Sequence, residues 1–289
     1  MVLFSEEPIR AIQQFSSPLL DLAFLLITRL GSRTIVFALA MFIYWLLDKR
    51  VGFFASVVLL SSTVVSDLLK AAFNMPRPSA DLQVTPTPGN GFPSGHAQQA
   101  TVFWTTLARE LGGRWILLGL VVIPLVAFSR VYLGVHFIGD VLGGAAFGIL
   151  VVAASIWVAR LGLWTQLRLR DRLLLAFFVP MVVQGVIFLS TRMVFESLAL
   201  LTGVALGYIL EGRWVAMARP EGPSGVIVRF ALGGGCLVGF ELLDSIVDYG
   251  PAEYGLAFLL GLVATLVLPW LFVRIEARVL GRPIPLPQG

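Results

Sequence analysis

The sequence predicts an all-α protein, a polytopic membrane helix bundle of about nine transmembrane helices. Three observations carry that prediction. The chain is 57% hydrophobic, with a mean hydropathy of +0.89. Only 13% of its residues are charged, about half the share of an ordinary soluble domain. Apolar runs near the roughly 20 residues that a bilayer crossing needs recur from end to end, leaving no room for a soluble domain.

The other bulk properties narrow the class further. The net charge of +4 and pI near 9.6 read, in such a chain, as loop arginines facing anionic lipid and not as nucleic-acid binding. The one cysteine, Cys236, excludes an internal disulfide. Met1 to Pro8 is acidic and lacks the basic start of a cleaved signal peptide.

Taken in order, Pro8 to Ser16 places Ile9, Ile12 and Phe15 at helical spacing and reads as a helix lying in the membrane interface. Leu19 to Leu30 is apolar but short and broken by Asp21, so it reads as re-entrant or interfacial. Thr34 to Leu47 is the first clear span, closed by Asp48, Lys49 and Arg50. Val51 to Phe73 is the second, stopped by Pro76 and Pro78. A polar loop, Ser79 to Pro93, follows. Ala97 to Leu111, Trp115 to Phe128 and Gly134 to Val158 are the third to fifth spans, the last carrying Gly139, Gly143 and Gly144, which permit close helix contact. Beyond the basic loop Arg160 to Arg172 come Leu173 to Leu189, Val194 to Leu210, Val226 to Val247 and Tyr254 to Val273. The tail from Arg282 to Gly289 reads as extended. The expected organisation is 1–30 as N-terminal interfacial or re-entrant helices, 31–160 as the core, and 161–289 as additional transmembrane helices with a short tail.

Loop charge gives orientation. Alternating the loops across two sides collects 14 of the 21 lysines and arginines on one side, four of them between Arg160 and Arg172. The positive-inside rule makes that side cytoplasmic. The loops carrying Arg77, His96 and His136 then share the opposite, extracytoplasmic side.

Those loops hold the chemistry. The protein has two histidines, and both lie in short polar, glycine-bearing stretches. Lys70 to Pro78, Pro93 to His96 and Ser129 to Asp140 together offer three cations (Lys70, Arg77, Arg130), two histidines, one aspartate and backbone amides at Ser94 and Gly95. Cations and amides suit the spread negative charge of a phosphoryl group. The Pro-Ser-Gly-His stretch precedes a span, so its amides open a helix. His136 and Asp140 are four apart and share one face if the helix has begun. An aspartate on one ring nitrogen fixes the tautomer and frees the other as nucleophile. His96 can then protonate the leaving oxygen. No carboxylate cluster is available there for a metal, so no metal or other cofactor is expected.

In residues and in spacing, these three stretches resemble the signature motifs of the type 2 phosphatidic acid phosphatase superfamily, over roughly Val51 to Ala159. The superfamily includes lipid phosphate, polyprenyl diphosphate and sphingosine phosphate phosphatases, glucose-6-phosphatase and vanadium haloperoxidases. The resemblance implies a six-helix phosphatase core. It implies that His136 is a nucleophile forming a phosphohistidine, that Asp140 orients it, and that His96 is general acid, then base for water. Lys70, Arg77, Arg130, Ser94 and Gly95 would hold the phosphate. The four spans after Arg172 exceed the six-helix minimum and are more like the sphingosine phosphate and glucose-6-phosphatase branches.

Other charged groups have plainer readings. Asp67, one turn before Lys70, reads as a partner positioning that lysine or as a buried hydrogen-bonding group, ahead of a catalytic role. Glu241, Asp244 and Asp248 recur at helical spacing near the outer end of a span, where they are candidates for substrate headgroup contact or for pairing with Arg192. The expected function is hydrolysis of a lipid phosphate or diphosphate taken from the outer leaflet. The alternatives are a sugar-phosphate phosphatase or phosphotransferase of the same superfamily, and a non-catalytic transporter using the cationic pocket for binding alone.

Overall fold

The computed structural model describes residues 2–191, 195–246 and 251–280, and every long element there is helical. Local signals set the helix starts. Pro8 sits in the first turn of α1 (Glu7–Gln13), where its missing N–H costs nothing. The Ser17 hydroxyl accepts the Leu20 N–H at 3.4 Å to cap α2 (Pro18–Arg29). The Ser32 hydroxyl accepts from Ile35 at the head of α3 (Arg33–Leu46). Asp48 Oδ1 accepts the N–H groups of Arg50 and Val51 at the head of α4 (Lys49–Phe73). Then follow α5 (Gly95–Leu111), α6 (Arg114–Tyr132), α7 (Ile138–Arg160), the short α8 (Leu163–Gln166), α9 (Leu169–Thr191), α10 (Glu196–Trp214), α11 (Gly222–Asp244), α12 (Pro251–Leu262), a π-helical turn (Val263–Val267) and α13 (Leu268–Leu280).

Among the described residues, six helical stretches are long and apolar enough to cross a bilayer: α4, α6, α7 with α8, α9, α11, and the run Ala252–Val279. α2 and α3 qualify only as a pair bent by 53°. The expected nine also counted α5, which is 17 residues long, and α10, which carries Glu196, Glu211 and Arg213. α5 turns Gln98, Gln99, Thr101 and Thr106 into protein, and α10 buries 11 of its residues, Glu211 included. A helix walled by other helices need not be apolar all round. Asp248, Arg192 and the tail after Gly281 lie outside the described residues.

The chain divides into two compact units, 1–37 with 61–160, and 38–60 with 161–289, the joins falling inside α3 and α4. Residues 38–60, assigned from sequence to the core, therefore group with the C-terminal helices.

In the first unit α5 is the central helix, with α6 and α7 packed on it. A Cβ on Gly144 would strike the Ser94 carbonyl, and one on Gly148 would meet the Gln98 carbonyl at 3.0 Å. The glycines of α7 thus bring its backbone against the first turns of α5. Gln98 Nε2 donates to the Ser62 carbonyl and hydroxyl, at 3.0 and 2.9 Å, and Gln99 Nε2 to Thr63 Oγ1 at 3.0 Å, tying α5 to the C-terminal half of α4. The N-terminal helices pack on this unit. Ile9 is 1% exposed against Leu82, Val131 and Val141, a burial that stabilises by about 1.5–3 kcal/mol. Gln13 Nε2 donates to the Leu82 and Tyr132 carbonyls at 2.8 and 2.9 Å. Ile9 is therefore spent on protein, while Phe15 is 78% exposed. Asp21, which seemed to break α2, accepts the Tyr132 hydroxyl at 2.7 Å and leaves the helix continuous.

In the second unit, Gly203, Gly207 and Gly261 let α10 and α12 meet backbone to backbone. Buried charges are paired there. Lys49 Nζ reaches Glu211 Oε2 at 3.1 Å, and Arg229 meets Glu276 through two bonds of 2.7 and 3.0 Å while also donating to the Trp45 and Ala218 carbonyls. The π-helical stretch presents the Ala264 and Thr265 carbonyls to Trp45 Nε1 and the Tyr44 hydroxyl.

Candidate active site

Two turns and three helix ends assemble the site in the first unit. α4 closes with Lys70 in its last turn and stops at Asn74, whose φ is +46°, before Pro76 and Pro78. The following loop folds back so that Asn90 answers Lys70 twice. Lys70 Nζ donates to the Asn90 carbonyl at 2.9 Å, and Asn90 Nδ2 donates to the Lys70 carbonyl at 2.9 Å. The turn between α6 and α7 pivots on Gly134, with φ +69°, where a Cβ would collide with the Leu82 carbonyl. Glycine is required there, and the turn delivers His136 just ahead of α7.

His136 is 2% exposed and Asp140 is fully buried. His136 Nδ1 lies 3.2 Å from Asp140 Oδ2, which also accepts the Phe137 N–H at 2.9 Å. Arg77 Nη1 lies 3.1 Å from His136 Nε2 and donates to the Val135 carbonyl at 2.9 Å. A guanidinium can only donate, so Nε2 is the acceptor and Nδ1 carries the hydrogen given to Asp140. The tautomer with a basic Nε2 follows from its two neighbours. Burial, and then the charges of Arg130, Arg77 and Lys70, hold the His136 imidazole well below its ordinary range, so it is neutral. Burial likewise lowers Arg77, opposed by Asp140. An arginine so lowered remains a cation at neutral pH.

A cavity of about 190 Å³ opens beside His136, lined by Lys70, Arg77, Gly95, His96, Arg130 and His136, together with Arg33, Asp67 and others. Arg130 is held by Thr28, whose Oγ1 accepts from Nη1 at 2.9 Å, and its buried Nε makes no hydrogen bond with the described residues. The Ser66 hydroxyl, also on the wall, is buried and makes none either. Such a set can grip a tetrahedral anion between cations and place its central atom against an imidazole nitrogen. Among the described residues no three His, Cys, Asp or Glu side chains group as metal ligands.

Of the residues expected from sequence, Lys70, Arg77, Gly95, His96, Arg130 and His136 reach the cavity, and Asp140 stands directly behind His136. Ser94 departs from expectation. Its N–H donates to the Asp140 carbonyl at 2.9 Å and its side chain is fully buried, off the cavity wall. As the residue capping α5, it is turned inward to bind α5 to α7, leaving the Gly95 end of the helix to face an anion. Glu241 and Asp244 are exposed on α11 in the second unit and do not line the cavity. Sequence reading missed Arg33 and Thr28. Both precede the first motif by some forty residues, and only their packing reveals them.

Residues 51–164 match the PAP2 superfamily model, and residues 195–279 match that of the PAP2 superfamily phosphatase transmembrane extension. Mouse sphingosine-1-phosphate phosphatase 1 is 30% identical over 140 residues, 45% of this chain and 33% of that protein. Lipid phosphate phosphatase gamma of Arabidopsis thaliana is 31% identical over 119 residues, 37% of this chain and 53% of that one. The match thus spans a third to a half of these relatives. The crystal structure of Aquifex aeolicus LpxE is 30% identical, covering 52% of this chain and 93% of that one, with a TM-score of 0.48. With a PAP2 domain over the motif helices and the superfamily's transmembrane extension after it, the chain is an integral membrane protein that belongs to the PAP2 superfamily.

Proposed function

We propose that this protein is a metal-independent phosphatase that hydrolyses a lipid phosphate or lipid diphosphate through a phosphohistidine on His136. The observation that carries the reading is the state of that imidazole: neutral, fixed by Asp140 at Nδ1, with Nε2 accepting from Arg77 and the ring lining a cavity walled by Lys70, Arg77 and Arg130.

In the first step Nε2 attacks phosphorus. The P–N bond forms as the P–O bond to the leaving group breaks, and the leaving oxygen takes a proton from His96, which burial and then Arg130, Arg77 and Lys70 hold down to about 3 and which the negative charge of a bound phosphate raises until it is protonated. The cations hold the equatorial oxygens, and Arg77 gives up Nε2 for a phosphate oxygen. In the second step water attacks phosphorus, His96 takes its proton, and the P–N bond breaks to release phosphate. Asp140 stabilises the imidazolium that exists between the steps.

A lipid substrate is supported by the placing of the site residues at the ends of apolar helices α4, α6 and α7. It is supported too by the names of the relatives. The split of basic residues, 14 against 7, supports an extracytoplasmic site drawing on the outer leaflet. The test is phosphate release by detergent-solubilised protein from phosphatidic acid, a polyprenyl diphosphate, sphingosine phosphate and glucose-6-phosphate. Turnover of a lipid member, lost by several orders of magnitude in His136→Ala, is the expected result. Turnover of glucose-6-phosphate alone, or a tenth of the activity left in folded His136→Ala, overturns it.

A further inference from the structure

The corner between α2 and α3 is a wall of the catalytic cavity that the three motifs do not include. Three separate contacts place it there. Thr28, in the last turn of α2, accepts from Arg130 Nη1 at 2.9 Å. Gly31 lies so close to the first turn of α5 that a Cβ would come within 2.6 Å of the His96 carbonyl oxygen. Arg33, the first residue of α3, lines the cavity with Lys70, Arg77, Arg130 and both histidines. The corner is held in position from outside the site. The Tyr132 hydroxyl binds Asp21 at 2.7 Å, and the rings of Phe24 and Tyr132 pack 4.3 Å apart. All of these α2 and α3 residues precede the stretch that matches the PAP2 superfamily model.

The cations of this cavity are graded by depth. Arg130 is buried beside buried His136, Lys70 and Arg77 are half-buried, and Arg33 is exposed at the rim. A substrate whose reacting phosphorus lies against Nε2 has that phosphoryl group at the deep end, where Lys70, Arg77 and Arg130 meet it. Its leaving group then points to the mouth. A cation at the mouth is therefore placed for a second negative charge, one bond beyond the scissile oxygen. Asp67, one turn before Lys70, is also on the wall.

Resting on the phosphatase reading above, we infer that Arg33 binds the leaving-group phosphate of a lipid diphosphate, so that the protein prefers a diphosphate to the matching monophosphate. The reaction balances as before. Nε2 bonds to the terminal phosphorus, the bridging P–O bond breaks, the lipid monophosphate departs with the bridging oxygen on Arg33's side, and water then releases phosphate from His136.

The test uses the full chain in detergent with a polyprenyl diphosphate and a polyprenyl monophosphate of one chain length. The readout is the ratio of their kcat/KM values. Wild type should favour the diphosphate. Arg33→Gln should lower the ratio by about tenfold, the usual effect of losing one charge-assisted hydrogen bond, and Arg33→Lys should restore part of it. Competition gives a second reading without turnover of the lipid: pyrophosphate should inhibit more strongly than phosphate in wild type, and Arg33→Gln should narrow that gap. A ratio unchanged by Arg33→Gln, or a wild type favouring the monophosphate, overturns the assignment of Arg33. Release of phosphate from neither substrate overturns the phosphatase reading itself.

Discussion

Replacing Asp140 by asparagine removes one charge and almost no volume. The asparagine carbonyl can take the place of Oδ2, keeping the Phe137 N–H at 2.9 Å and the His136 Nδ1–H at 3.2 Å. Its amide then falls where Oδ1 stands, an atom with no hydrogen-bond partner among the described residues. Fold and tautomer survive, and what is lost is the attraction between a carboxylate and an imidazole becoming cationic. At 3.2 Å a full charge pair is worth ~5 kcal/mol at an effective dielectric of about 20. A transition state that has developed about half the charge forfeits roughly 2.5 kcal/mol, or a fall in kcat on the order of 10². Phosphate release at saturating substrate measures it, with rapid-quench trapping to follow the phosphoenzyme. Asp140→Ala should fall further, since it also leaves the buried Phe137 N–H without its acceptor, at about 1–3 kcal/mol. An Asp140→Asn protein with kcat within threefold of wild type would refute the argument that this charge supports the imidazolium.

Three further outcomes are expected. Because burial and the neighbouring cations hold His136 well below its ordinary value, the unfolded chain binds a proton near pH 6.5 that the folded site does not. Stability should then fall as pH drops below 6.5, by up to about 1.4 kcal/mol per unit; melting from pH 7.5 to 5.5 should show a smaller decline in His136→Gln, and equal declines would count against a neutral buried imidazole. Turnover should survive EDTA, since cationic side chains meet the phosphoryl group, and activity lost to chelation and restored by magnesium would contradict this. A cysteine placed between Ser79 and Gly91 in a Cys236→Ala background should react with an impermeant thiol reagent in intact cells, and one at Arg168 only after lysis; the reverse pattern would overturn the orientation.

The sequence by itself determined the fold class and singled out the candidate site residues, because both are written in local pattern. Apolar length gives membrane helices, and the residue types and spacings of Lys70 to Pro78, Pro93 to His96 and Ser129 to Asp140 point to candidate site residues without any fold. Apolar faces can be spent on protein as well as lipid. Ile9 is buried under Leu82 and Val131, and Gln98 and Gln99 are satisfied by Ser62 and Thr63 across α4, so α5 is more polar than a lipid-facing helix could be. Only the tertiary structure decided which ring nitrogen of His136 is basic, since that depends on Arg77 arriving 59 residues away in sequence. It alone turned the Ser94 amide onto Asp140 and brought Thr28 and Arg33 to the cavity. These are pairings across long separations, fixed by packing and by where backbone donors find acceptors, and no spacing along the chain encodes them.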